Sequence, residues 1–350
     1  LLERPGVSDI LKTRGAGATG KADLQGFRSR IHFEKTAQLS SALESIALKL
    51  SVSSMPHLTL AAAQLGPIAR SESRTDVVQR LLALLREGHA RGCELIVYPE
   101  AALTAFFPHW FIRDPAEIDA WFEKSMPSPE TQPLFDEAAR LGVGFCLGYA
   151  ESTPDGRHYN ASVLVERDGR VVGHYRKIHL PGYDREMPDQ PFQNLEKRYF
   201  SVGDLGFPVF EAFGTGVGLC ICNDRRWPET YRTLALKGAE LILLGYNTPL
   251  HNPALPCTDA LANYHNQLCL TAGAYHNACW VVAAAKAGLE EGVMQIGQSC
   301  VVAPSGEIVA MASTLEDELV FARCDLDLAR LYREKLWNFP KNRRPEHYSL

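Results

Sequence analysis

Basic residues do not dominate this 350-residue chain: 36 Lys and Arg stand against 41 Asp and Glu, for a formal charge of −5. Without a basic field, no nucleic-acid partner is expected. Nowhere do 18 apolar residues run together, so no transmembrane helix and no membrane partner are expected. The nine cysteines never form a Cys-x-x-Cys pair, which fits reduced thiols and a cytoplasmic setting better than a disulfide framework. Cys220 and Cys222 with His174 or His179 are the one grouping that suggests a metal. Their spacing matches no common zinc pattern, and neither a metal nor another cofactor is expected.

What is present is a large apolar fraction, 46% of residues, distributed in alternating strand-like and helix-like stretches. That alternation argues for one α/β domain over residues 55–350. Helices are expected over Thr75–His89, Thr131–Leu141, Glu229–Leu236 and Asp259–Tyr275. Strands are expected over Leu58–Ala63, Val143–Tyr149, Cys279–Ala285, Cys300–Ala303 and Ile308–Met311, the last two joined by a turn at Pro304-Ser-Gly306. A hairpin turn is expected at Asp168-Gly169. Residues 1–54, with a glycine-rich patch Gly15-Ala-Gly-Ala-Thr-Gly20, read as a weakly ordered extension.

The most specific stretch is Gly218-Leu-Cys-Ile-Cys-Asn-Asp-Arg-Arg-Trp-Pro-Glu229. An apolar strand ends at Cys222, and Pro228 opens a helix. Cys222 therefore sits on a strand-to-helix elbow, where a thiol can face a pocket and backbone N–H groups can meet an oxyanion. A small buried apolar residue would also fit there, and Cys220 suits that role better. A second apolar strand, Glu94-Leu-Ile-Val-Tyr-Pro-Glu100, delivers a carboxylate into an uncharged stretch, where loss of hydration suits it to accept a thiol proton. A third, His174-Tyr-Arg-Lys-Ile-His179, delivers Lys177, and Glu196 follows in Leu195-Glu-Lys-Arg-Tyr-Phe200. Taken singly, Glu100 and Lys177 would also fit solvated surface positions.

Together, Pro99-Glu100, Tyr175-Arg-Lys-Ile-His179 and Cys222 resemble the Glu-Lys-Cys triad of the nitrilase superfamily of carbon–nitrogen hydrolases. The strings Asn223-Asp-Arg-Arg-Trp-Pro-Glu229, Gly245-Tyr-Asn-Thr-Pro249 and His251-Asn-Pro253 are most similar to the N-carbamoyl-D-amino acid amidohydrolases, the D-carbamoylases. The resemblance runs from about His57 to Leu350, and Met55 stands where D-carbamoylase chains begin. It implies a four-layer α-β-β-α sandwich, and hydrolysis of N-carbamoyl-D-amino acids to D-amino acid, ammonia and carbon dioxide. It also implies a homodimer or homotetramer.

By the same resemblance Cys222 is the nucleophile, Glu100 its base, Lys177 with the N–H of Asn223 the oxyanion donor, and Glu196 the lysine's second acidic partner. Arg225 and Arg226 are candidates to clamp the substrate carboxylate through paired hydrogen bonds, unless one of them instead pairs with Asp224 or Glu229. Asn247 and Thr248 would complete the pocket, with His179 and His265 in or near it. Where the D-carbamoylases have Phe-Gln-His-Leu-Glu, this chain has Asn194, which cannot carry a proton charge near neutral pH. An amidase, a nitrilase or a carbamoyl-β-amino-acid hydrolase would share the triad without needing the arginine pair, and a catalytically silent binding homologue would need none of these groups.

Overall fold

The computed structural model describes residues 57–348, so the expectation for residues 1–54 lies outside the described residues. Among the described residues, fourteen strands form two six-stranded sheets and one hairpin. The first sheet contains β1 (His57–Gln64), β2 (Leu95–Val97), β3 (Gly144–Ser152), β4 (His158–Val165), β5 (Val171–Arg176) and β14 (Glu318–Asp325), in the order β14-β1-β2-β3-β4-β5. The second contains β6 (Val209–Ala212), β7 (Thr215–Ile221), β8 (Leu241–Tyr246), β9 (Trp280–Ala285), β12 (Cys300–Val302) and β13 (Ile308–Met311), in the order β13-β12-β9-β8-β7-β6. Strands β10 (Ala287–Glu290) and β11 (Val293–Ile296) make the separate hairpin.

Side-chain alternation decides which face of each strand meets which layer. In β1, Leu58, Leu60 and Ala62 join a core shared with Val217, Leu219 and Leu243 of the second sheet. Ala61 and Ala63, pointing the other way, pack with helices α1 (Arg74–Ala90) and α2 (Gln132–Leu141). The second sheet is covered on its outer side by α3 (Pro228–Leu236) and α4 (Ala262–Asn277), through Leu234, Leu270 and Ala274. The result is the α-β-β-α sandwich, with β2, β7, β8 and β9 buried along their whole length.

The local signals act as their chemistry requires. Ser73 caps α1 by accepting from the N–H of Asp76 at 3.1 Å. The turn between β4 and β5 uses Gly169 at φ 82°. Two boundaries shift by three residues: β3 runs on to Ser152 rather than ending at Tyr149, and α4 begins at Ala262 rather than near Asp259, because Pro256–Leu261 forms a tighter 3-10 turn ahead of it. No described helix is long and apolar enough to cross a membrane.

The parallel pairs β1/β2/β3 and β7/β8/β9 bring the carboxyl ends of β2, β7 and β8 into one region. Such strand ends are where open α/β sheets carry their ligand sites.

Candidate active site

The residue after β2 and Pro99 is Glu100, fully buried. Backbone meets backbone so closely here that two neighbouring positions have no room for a side chain. A Cβ on Gly245 of β8 would lie 2.5 Å from the Glu100 nitrogen, and one on Gly148 of β3 would lie 2.4 Å from the Pro99 carbonyl oxygen. The chain then turns through Ala101 at φ 44°, a left-handed conformation that alanine adopts only under constraint.

Glu100 is held from both sides. Its Oε1 accepts from Lys177 Nζ and from Asn160 Nδ2, each at 2.7 Å, and its Oε2 accepts from the Asn247 N–H at 2.9 Å. Lys177, carried directly after β5 and also buried, donates a second bond to Glu196 Oε2 at 2.6 Å. Two carboxylates thus share one ammonium away from water. Burial raises Glu196 to about 7 against the opposing charge of Lys177. Burial works against the Lys177 ammonium, but the carboxylates of Glu100 and Glu196 outweigh it and hold the lysine above its ordinary value, so it stays charged.

Cys222 follows β7 at φ 46°, so the elbow is a strained left-handed turn at the candidate nucleophile. Its Sγ donates to the Asn247 carbonyl at 3.2 Å, and the N–H of the same residue donates to Glu100, so Asn247 touches both groups. Burial, with Glu100 nearby, pushes the thiol up to about 11, while Lys177 and Arg225 pull it down. Such a thiol is not ionised alone at neutral pH and needs its proton taken as it attacks.

The two arginines part company. Arg225 is buried and has no carboxylate partner among the described residues: its guanidinium donates to Cys222 O at 2.8 Å, Asn266 Oδ1 at 3.0 Å and Thr248 Oγ1 at 2.8 Å, and lies 4.5 Å over the Tyr246 ring. It braces the elbow through neutral oxygens. Arg226 is exposed and makes no hydrogen bond or ion pair with a described residue; it borders a cavity of about 400 Å³ that also contains Cys222, Asn223, Glu196, Asn247 and Thr248. A larger cavity of about 730 Å³ between α3, α4 and residues 337–348 holds none of Glu100, Lys177 and Cys222.

Asp224 pairs with neither arginine. Buried, it accepts from the Tyr175 hydroxyl at 2.8 Å, from the Ile221 N–H at 3.0 Å, and from both the N–H and Nδ1 of His179, at 3.0 and 2.8 Å. His179, stacked on Trp227 at 5.0 Å, thus supports the elbow from behind and does not line the cavity. His265 does not line it either. It lies one residue off the buried stripe of α4, which runs through Asn266, Leu270, Gly273 and Ala274, and Asn266 is the residue that reaches inward, to Arg225.

Several positions of the candidate site escaped the sequence reading, which quoted His251 only within a family string. Asn160 on β4 holds Glu100, while Phe106, His109, Phe192 and His251 line the cavity. The α4 stripe could have identified Asn266 by its helical spacing from Leu270. His109 could have been noticed as a histidine ending an uncharged run immediately after the candidate base. Among the described residues no group of three or more His, Cys, Asp or Glu could hold a metal ion.

Comparison with known proteins matches residues 59–334 to the family described as Carbon-nitrogen hydrolase. A protein named nitrilase from Pyrococcus abyssi is 35% identical over 268 residues, covering 76% of this chain and 90% of the relative. N-carbamoylputrescine amidase from Arabidopsis thaliana is 31% identical over 279 residues, covering 76% and 87%. Among solved structures, a carbon-nitrogen hydrolase from Helicobacter pylori superposes with a TM-score of 0.72 at 24% identity, covering 84% of this chain and 97% of that one.

Proposed function

The chain belongs to the carbon-nitrogen hydrolase family, and from that premise we propose that it hydrolyses N-carbamoyl amino acids, of the D series by the resemblance of its motifs, through a covalent bond to Cys222. The observation that carries the carboxylate-bearing substrate class is Arg226. Glu196 is paired with Lys177 and His251 with Asp259, so Arg226 is the one charged cavity-lining group without an ion-pair partner among the described residues. A guanidinium at the edge of a pocket, free of a protein partner among the described residues, suits a carboxylate. A substrate ending in an ammonium, such as the N-carbamoylputrescine for which the Arabidopsis relative is named, would meet it unfavourably.

The chemistry follows from the geometry around Cys222. As the sulfur attacks the ureido carbon, its proton passes to Glu100, and the developing oxyanion is stabilised by Lys177 and the Asn223 N–H. One nitrogen leaves with a proton returned from Glu100, which leaves the carbonyl carbon bonded to sulfur. Water, deprotonated by Glu100, then attacks that carbon, the thiolate departs and regains its proton from Glu100, and the released carbamic acid breaks its remaining C–N bond to give carbon dioxide and the second amine, so the products are amino acid, ammonia and carbon dioxide. Glu196 keeps the lysine aimed at the reacting centre, Arg225 and Asp224 keep the elbow in its left-handed turn, and Asn247 and Thr248 form the wall opposite.

The Pyrococcus relative's name favours a second reading, a nitrilase or amidase using the same three residues on an uncharged substrate. A stereochemically resolved hydrolysis panel separates the two. The proposal expects N-carbamoyl-D-amino acids to exceed their L counterparts, simple amides and nitriles in kcat/KM. Faster turnover of a neutral amide or nitrile would replace it with the second reading.

A further inference from the structure

His109 is buried in the wall of the catalytic cavity, yet no described residue hydrogen-bonds to its ring nitrogens. A ring that lines a cavity and has no hydrogen-bond partner among the described residues leaves its donor and acceptor for whatever fills that cavity. Its ring makes edge contacts with Phe106 and Phe192, both at 5.0 Å between centroids. Across the same wall Asn194 also lines the cavity, and its Oδ1 is buried without a hydrogen-bond partner among the described residues. Backbone bonds tie the two segments together, from the Gln193 N–H to the His109 carbonyl at 3.3 Å and from the Leu195 N–H to the Pro108 carbonyl at 2.9 Å.

The wall is rigidly held from outside. Glu290 accepts from the Phe106 N–H at 2.8 Å and the Ile68 N–H at 3.1 Å, while Lys286, paired with Glu290 at 3.2 Å, donates to the Thr104 carbonyl. With Lys286 behind it and little water around it, the His109 ring is kept neutral, by burial first and by that charge second. A neutral imidazole presents one donor and one acceptor. Asn194 Oδ1 adds a second acceptor.

We infer that His109 and Asn194 form a polar subsite that hydrogen-bonds an uncharged group, a hydroxyl or carboxamide, at the end of the substrate's side chain. This rests on the carbamoylase reading above, in which the ureido end is committed to Cys222, Lys177 and Asn247 and the carboxylate to Arg226. The side chain is the substituent left over. Phe106 and Phe192 flank its apolar stem, and the subsite selects its tip.

The test compares substrates of nearly equal shape, the N-carbamoyl derivatives of D-asparagine and D-leucine, with N-carbamoylglycine as the arm that has no side chain. In the native protein the asparagine compound has the higher kcat/KM of the pair. In His109→Leu the asparagine-to-leucine ratio falls by about 5- to 100-fold, the scale for leaving a polar group unpaired in a buried pocket. Asn194→Ala lowers the ratio in the same direction, and His109→Gln, which keeps a donor and an acceptor, restores part of it. Protection of Cys222 from iodoacetamide by each compound gives the same comparison without turnover: the asparagine compound protects the native protein at lower concentration, and His109→Leu abolishes the difference. Equal protection in the native protein, or an unchanged ratio in folded His109→Leu and Asn194→Ala, overturns the subsite. Failure of the native protein to hydrolyse N-carbamoylglycine or either partner overturns the carbamoylase reading instead, and the protection assay still decides the subsite.

Discussion

Replacing Arg226 by alanine removes the unpaired cation at the cavity edge while leaving Glu100, Lys177 and Cys222 untouched. The loss on a carboxylate-bearing substrate is that of a charge-assisted hydrogen bond, about 2–3 kcal/mol at a site open on one side, or roughly 30- to 150-fold in kcat/KM. A neutral amide makes no such bond and loses little. Arg225→Ala behaves differently, because Asn266 Oδ1, Cys222 O and Thr248 Oγ1 all lose their donor. Unpaired buried oxygens and the cavity left behind cost about 3–5 kcal/mol of stability, and turnover falls on both substrate classes together as the elbow loosens. Steady-state kinetics on an N-carbamoyl-D-amino acid and a simple amide, with thermal melts for each variant, distinguish the two arginines. Equal fractional losses on both substrates in Arg226→Ala would refute the carboxylate role, and the amidase or nitrilase reading would move ahead.

Cys222→Ala abolishes turnover, and Glu100→Gln and Lys177→Ala each lower kcat by about 10²-fold or more; near-normal kcat in the glutamine variant would remove the base role from Glu100. Gly245→Ala drives a Cβ to within 2.5 Å of the Glu100 nitrogen, so it lowers stability by about 1–3 kcal/mol and lowers kcat as well; an unchanged melting temperature would show that the approach is not tight. Burial, and secondly Lys286, push the His109 imidazole down to about 3, whereas in the unfolded chain it titrates near ~6.5. Because the folded value is the lower one, the stability linked to His109 is complete above ~6.5 and is lost as pH falls toward 3. His109→Leu should therefore flatten the melting-temperature profile across that interval, and an unaltered acid slope would contradict the assignment.

The chemistry-bearing residues were legible in the amino-acid order because each follows a short apolar strand and is punctuated by a local signal. Pro99 precedes Glu100, Pro228 opens the helix after Cys222, and the Asp168-Gly169 turn returns the chain toward Lys177. Such signals are properties of consecutive residues, so most strands and helix bounds could be read without coordinates, though β6, β10, β11 and β14 could not, and the candidate triad was recognised by the resemblance of its motifs. Direction was not legible. Arg225 and Arg226 are neighbours in sequence, yet a left-handed turn at Cys222 sends one guanidinium into the interior and leaves the other at the cavity edge. His265 and Asn266 differ by one step, about 100° around a helix, and only the packing of α4 on the second sheet selects Asn266. Partners far apart in the chain were equally hidden: Asn160 with Glu100, Asp224 with His179, and His109 beside Asn194. Those pairings exist because the sheets stack and their loops meet at one end. Apolar burial and strand polarity determine the layers, but which polar groups then face one another is decided by tertiary packing alone.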